Sequence, residues 1–126
     1  NKNDDYYILL AWDGNDYFTN KKFIDVLYFD EDDTPFFGKD VFEYKGKGKM
    51  RIAFEYSEKC SMAVDYNQEL KMIVFDHLSP SKPIYKDMYE YYGADFSYDA
   101  LKCDKGTWKL MEDIDVRNSK SGNKKK

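Results

Sequence analysis

The sequence predicts an all-β domain, an antiparallel meander of about eight strands that forms a sandwich, an open barrel or propeller-like sheets. The chain holds 12 Tyr and 9 Phe, residues that pack well on a pleated surface. Apolar segments of strand length alternate with short polar turns. No segment of helical length keeps a 3.6-residue period. Together these three observations favour strands joined by short connections, which pair antiparallel.

The first half of the chain contains a continuous apolar segment at residues 6–12 and a second, largely apolar segment at 23–29. Their length and aromatic content predict strands that are buried on both faces. Turn-forming residues follow each of them, at 13–16 and 30–35. Shorter strands are expected near residues 36–44, before a flexible turn at 45–48.

A two-residue period predicts strands with one buried face at residues 49–56 and 61–66. The side chains expected to face the core are Met50, Ile52, Phe54, Tyr56, Met62, Val64 and Tyr66. Residues 70–75 read as the returning strand of a hairpin. Residues 76–83 contain Pro80 and Pro83 and predict a loop, because proline cannot occupy a central strand.

The C-terminal third is predicted to contain a short helical turn and a last hairpin. Residues 84–92 are ambiguous in their period and fit a short helical turn. Residues 95–103 and 107–111 read as two strands around a turn at 104–106, where Gly106 can supply a positive φ.

Charge and composition limit the classes of function. The net charge is −4, and the last nine residues hold four lysines and no acid, so the remainder is acidic and nucleic-acid binding is not expected. We assign residues 1–118 to a single β domain and 119–126 to a basic, flexible tail. No apolar run has the length of a transmembrane helix, and no signal peptide is visible in this chain.

His77 is the only histidine and is therefore the first candidate for acid–base chemistry. Asp76 and Ser79 lie beside it, but adjacency in sequence does not deliver the geometry of a catalytic triad. The alternative is that Asp76 and His77 hold the loop by hydrogen bonds to its backbone.

The acidic residues offer a second set of candidates. The loop that begins at Asp13 fails the calcium template, because Phe18 and Ile24 stand where glycine and an acid are required. Asp95 and Asp99 could form a carboxylate pair for sugar hydrolysis. On a strand their Cα atoms would be about 13 Å apart, which favours turn capping instead. Neither a metal nor a cofactor is expected.

Aromatic side chains and cysteines complete the candidates. The tyrosines crowd one region, and with Trp12 and Trp108 they could form a recognition surface or simply pack. The crowded positions are Tyr85, Tyr89, Tyr91, Tyr92 and Tyr98. Cys60 and Cys103 are too few for a disulfide scaffold, and both a disulfide and two free thiols remain open.

Several segments together resemble a known family. They include Ile-Val-Phe-Asp-His-Leu-Ser-Pro at residues 73–80, Tyr-Gly-Ala-Asp-Phe-Ser-Tyr-Asp at 92–99 and Lys-Gly-Thr-Trp at 105–108. The pattern is similar to a group of uncharacterised exported proteins of Bacteroidota, over residues 6–118. The resemblance implies the C-terminal portion of a periplasmic or outer-membrane-associated protein, and it implies no activity.

We therefore expect a non-enzymatic binding or scaffold subunit of a cell-envelope assembly, with a protein partner such as an outer-membrane complex. The alternative is a glycan-binding protein or a hydrolase that uses His77 and nearby carboxylates. The predicted binding residues are Asp76, His77, Tyr89, Tyr91, Tyr92, Asp95, Tyr98 and Trp108.

Overall fold

A computed structural model describes residues 5–116 of the chain. Across these residues the protein is all-β, as the sequence predicts, and the strands form two sheets that do not close into a barrel. Two single-turn 3₁₀ helices, Pro83–Tyr85 and Tyr89–Tyr91, lie where the short helical turn is predicted. The predicted basic tail at 119–126 lies outside the described residues.

Between residues 5 and 116 the chain forms ten strands. In chain order they are β1 Tyr7–Asp13, β2 Thr19–Phe29, β3 Pro35–Phe37, β4 Phe42–Tyr44, β5 Lys47–Lys49, β6 Ile52–Ser57, β7 Val64–Asn67, β8 Met72–Pro80, β9 Tyr92–Asp104 and β10 Thr107–Ile114. In sheet A, β2 pairs with β1 on one side and with β3 and β6 on the other. Sheet B has the order β5-β4-β10-β9-β8-β7.

The pairing is antiparallel throughout the described strands, apart from β4 and β10, which are parallel. The sequence predicts only antiparallel pairs, and the exception arises because β4 enters sheet B from sheet A. Phe42 thereby lies beside Trp108, far away along the chain.

The core lies between the two sheets, as in a sandwich. Phe54 of sheet A meets Phe75 of sheet B at its centre, with 4.7 Å between their ring centroids. Sheet A contributes Ile24, Val26, Ile52 and Tyr56, and sheet B contributes Phe42, Val64, Ile73 and Leu101. The two-residue period therefore identifies the buried face of β6 correctly.

Four predicted burials are wrong. β2 is buried on one face only, with Ile24 and Val26 in the core and Phe29 exposed on the other face. β1 is an edge strand with β2 on one side only, and Tyr7 and Trp12 are 64% and 61% exposed. Met50 is exposed because it lies in a bend before β6, and Tyr66 is exposed on β7, the edge strand of sheet B. Side chains on an edge strand have a neighbouring strand on one side only, so more of their surface stays exposed to solvent.

β8 continues through the predicted loop as far as Pro80, which lies opposite Tyr92 of β9. β7 pairs only with the first part of β8, from Met72 to Phe75. The far end of β8 therefore pairs with β9 alone. Pro80 lacks an N–H group, and at this position the sheet does not need one.

Candidate binding site around His77

Two β-bulges lie on either side of Asp99. On β9, three residues, 95–97, stand opposite the single residue His77. Phe96 at the centre of this bulge has a φ of 68° and is 90% exposed. On β10, the register with β9 shifts between Met111 and Ile114. Bulges bend strands and redirect side chains, and these two bulges surround Asp99.

Asp99 holds the ring of His77. The distance from its Oδ2 to Nδ1 of His77 is 2.6 Å, and the backbone N–H of Asp113 donates to its Oδ1 at 2.9 Å. The Asp99 side chain is 8% exposed and that of His77 36% exposed. When the imidazole is neutral, donation from Nδ1–H to the carboxylate leaves Nε2 as an acceptor. The pair therefore fixes both the orientation and the tautomer of His77.

His77 and Asp99 line a cleft of about 240 Å³ to which both sheets contribute residues. The other polar or aromatic side chains around it are Tyr44, Lys45, Phe54, Glu55, Phe75, Asp76, Tyr89 and Tyr92. The rings of Tyr89 and Tyr92 contact each other, with centroids 5.0 Å apart. Aromatic walls with a few convergent polar groups are typical of ligand-binding clefts.

Tyr44 brings a protonated phenol to the cleft. Burial of the phenol and the nearby carboxylates of Asp99 and Glu112 raise the pKa of Tyr44 to about 12. Its ring packs edge-on against Phe54, with centroids 6.4 Å apart. The hydroxyl of Tyr44 thus remains a hydrogen-bond donor at neutral pH.

Ser79 does not complete a triad with His77. Its hydroxyl donates to Asp95 Oδ2, and the backbone N–H of Ser97 donates to Asp95 Oδ1 at 3.0 Å. Partial burial raises the pKa of Asp95, but the hydrogen bonds from Ser79 and Ser97 and the nearby His77 together lower it. Asp95 thus caps the bulge of β9, in agreement with the turn-capping interpretation.

Asp76 also has a structural role. Its Oδ2 accepts the backbone N–H of Ala63 at 2.8 Å, and its own N–H donates to the carbonyl of Ala63 at 3.0 Å. These two bonds attach β8 to the segment before β7. The loop-holding interpretation is correct for Asp76 and wrong for His77, whose ring binds Asp99.

The structure divides the predicted aromatic surface. Tyr89 and Tyr92 lie at the cleft, whereas Tyr91 stacks on Tyr85 with centroids 4.0 Å apart. Tyr98 lines a separate groove of about 250 Å³ with Tyr66 and Val116. Trp108 is half-buried elsewhere, and its Nε1–H donates to the hydroxyl of Tyr6 at 3.1 Å. The eight predicted binding residues therefore do not form one site.

The cleft contains two side chains, Tyr44 and Glu55, that the sequence analysis does not single out. Tyr44 lies on β4 of sheet B and Glu55 on β6 of sheet A. Neither residue is part of a recognisable motif. Tyr44 belongs to the same sheet as His77 and reaches the cleft through the strand order of sheet B, whereas the contact between the two sheets brings Glu55 there.

A second candidate surface is the outer face of sheet A. Ile24 and Val26 of β2 are fully buried, so the alternate residue Leu27 faces outward, opposite both Tyr7 and Phe37. With Leu9 and Phe29 these side chains form what we call the outer patch: Tyr7, Leu9, Leu27, Phe29 and Phe37. Phe37 is 58% exposed and Phe29 48%. The patch differs from the sequence prediction, which places both β1 and β2 in the interior.

The described part of the chain contains neither a cluster of metal-binding side chains nor a disulfide bond. Within residues 5–116 no three His, Cys, Asp or Glu side chains are grouped to hold a metal ion. The carboxylate of Asp30 instead accepts the N–H groups of Asp32 and Thr34, both at 2.8 Å. Cys60 and Cys103 are free and exposed, so the disulfide alternative is wrong.

Comparisons of the chain with protein-family models, with curated proteins and with solved structures find no match. Within residues 5–116, no helix has the length and hydrophobicity needed to cross a bilayer.

Proposed function

We propose that the chain is a non-enzymatic binding or scaffold subunit of a bacterial cell-envelope assembly, and that a protein partner docks on the outer patch. The observation that carries the proposal is the exposure of Tyr7, Phe29 and Phe37 on a single sheet face. Contiguous exposed apolar surface is typical of interaction sites, and aromatic residues are enriched in interfaces. The envelope location is supported by the resemblance of residues 73–80 and 92–99 to exported proteins.

The surroundings of the outer patch suit specific docking. Asp25 and Arg51 form an ion pair at 3.1 Å on the same face, with the Arg51 side chain 48% exposed. An apolar centre with charged groups beside it matches the usual arrangement of an interface core and rim.

Site-specific photocrosslinking in cells of the source organism tests this proposal. A photoreactive phenylalanine analogue replaces Phe37 in one variant and Phe96, which is 90% exposed on the bulge of β9, in the control. We expect a crosslinked product of discrete mass at position 37 that is absent at position 96, and its partner in the envelope fraction. Equal crosslinking at both positions, or none at position 37, would refute the proposal.

A second candidate function is glycan binding at the cleft, and the juxtaposition of His77 and Asp99 with Tyr89 and Tyr92 favours it. Sugar hydroxyls require fixed donors and acceptors, which the His77–Asp99 pair and Tyr44 supply. Sugar rings also pack on aromatic faces, and Tyr89 is 40% exposed. A hydrolase based on the same cleft would use His77 as its acid–base group.

The single histidine makes this second candidate easy to test. The imidazole signals of His77 in an NMR spectrum are followed during titration with glucose, galactose and N-acetylglucosamine. Glycan binding predicts a saturable shift that Tyr89→Ala abolishes and that Tyr17→Ala, a substitution at a 91% exposed site, leaves intact. Signals that no sugar moves would exclude binding of these sugars beside His77.

A further inference from the structure

We infer that the free edge of β1 pairs with β1 of a second copy of the chain, so that the A sheets of two copies join into one continuous sheet. Within residues 5–116 no strand pairs with this edge of β1. Its outward N–H and C=O groups are therefore available to another strand.

β1 differs from the other edge strands that the structure describes. β3 and β5 have three residues each, with Pro35 in β3 and lysines 47 and 49 in β5. β7 has four residues and includes Asp65. The helix Tyr89–Tyr91 packs against β6. Short length, proline, charge and a covering element are the devices by which proteins protect sheet edges.

β1 has none of these devices over most of its length. It has seven residues, Tyr-Ile-Leu-Leu-Ala-Trp-Asp, with its one charge at the last position. Its register with β2 runs without a bulge from Tyr7 to Asp13. A long, regular and apolar edge of this kind favours pairing with another strand.

Geometry fixes the register of a symmetric pair. A two-fold axis perpendicular to the sheet keeps every side chain on its own face, and residues opposite one another share a face. The axis must therefore lie midway between one residue and the same residue of the second copy. All seven residues of β1 overlap only when Leu10 lies opposite Leu10 of the second copy. Leu9 then faces Ala11, and Tyr7 faces Asp13.

The charges near β1 are compatible with this register. Asp13 comes opposite Tyr7 and Asp5 opposite Asn15, so no acid meets an acid. Moving the axis by one residue to Leu9 would place Asp5 opposite Asp13, and like charges in direct opposition are destabilising. With Leu10 opposite Leu10, two identical strands thus overlap over their full length and bring no like charges together. The inference is independent of the proposed partner, because it uses the backbone edge rather than the outer patch.

Cysteine crosslinking tests the pairing and its register together. In a Cys60→Ser, Cys103→Ser background, Leu10→Cys places two thiols across the axis, where opposite Cα atoms about 4.5–5.5 Å apart suit a disulfide. We expect rapid formation of a covalent dimer under mild oxidation. Tyr17→Cys is the control, because Tyr17 is exposed in the loop after β1 and should not crosslink.

A mixing experiment tests the register itself. Leu9→Cys and Ala11→Cys should each form little covalent dimer alone, since diagonal positions are about 7–8 Å apart, and should crosslink when the two proteins are mixed. Crosslinking of Leu9→Cys alone as fast as in the mixture would overturn the register. Crosslinking of Leu10→Cys no faster than Tyr17→Cys would overturn the pairing.

Sedimentation of the native chain gives a test without cysteines. We expect a reversible dimer whose dissociation constant rises at least about tenfold in Ala11→Lys, because a charge on the paired edge opposes association. Ala11 is exposed, so the variant should keep its fold, which circular dichroism would verify. A native chain that sediments as a monomer at every concentration up to the millimolar range would also overturn the pairing.

Discussion

Replacing Asp99 by alanine should destabilise the protein far more than replacing a surface acid on the same strand. The Asp99 side chain is 8% exposed and accepts two hydrogen bonds, at 2.6 Å from His77 and 2.9 Å from the Asp113 N–H. A hydrogen bond to a charged group contributes about 1.5–3 kcal/mol. Because His77 is partly exposed, we take the lower value for each bond and expect a loss of about 3 kcal/mol.

Urea unfolding followed by tryptophan fluorescence measures this loss. Asp104→Ala is the matched control: Asp104 lies at the end of β9, is exposed, and pairs with Lys109 only at 3.5 Å. It should cost less than about 1 kcal/mol. Asp99→Asn should lie between the two, because its carbonyl oxygen still accepts from Asp113. If Asp99→Ala and Asp104→Ala unfold at the same urea concentration, the structural role assigned to the His77–Asp99 pair is wrong.

Three further predictions concern titration and backbone strain. Because the folded-state pKa of Tyr44 is raised from 10.0 to about 12, its contribution to stability is complete below pH 10 and lost as the pH rises through that window. Urea unfolding at pH 9 and 11 should show a smaller alkaline loss for Tyr44→Phe than for the native chain, and equal losses would contradict this. Because the pKa of Asp95 is lowered, its contribution is present above its usual pKa and lost as the pH falls below about 4. Acid unfolding should thus be less steep in Asp95→Asn, and an unchanged profile would argue against the cap. Gly38 has a φ of +89°, which L side chains rarely adopt, and an added Cβ would meet only the movable end of the Arg51 side chain, so Gly38→Ala should cost about 1–3 kcal/mol of backbone strain in urea unfolding. Gly46→Ala, with a φ of +79° and open space, should lose about as much stability for the same backbone reason, and unchanged stability in both variants would contradict the strain argument.

Local patterns in the sequence predict much of the fold. The alternation of Ile52, Phe54 and Tyr56 identifies the inward face of β6, since one face of that strand is packed and the other is wet. The turn at residues 104–106 is also correct, with Lys105 and Gly106 both at positive φ. Such features depend on neighbours within a few residues, which the sequence displays directly.

Features that depend on the arrangement of the sheets are not predictable in this way. The apolar content of residues 6–12 is the same whether the strand is central or at an edge, and only the topology places β1 at an edge. His77 and Asp99 are 22 residues apart, and they meet because a bulge changes the register between them. The single-sequence pattern carries no signal for that shift.

The path of the chain between the sheets has a consequence for folding. The chain builds β1 to β3 in sheet A, passes to sheet B for β4 and β5, returns to sheet A for β6 and completes sheet B with β7 to β10. β4 can join its sheet only when β10, near the end of the described residues, is in place. The chain crosses between the sheets three times and both sheets share one core, so the two should melt together in one cooperative transition. Such long-range pairing also predicts slow folding, because distant segments must meet before the core closes.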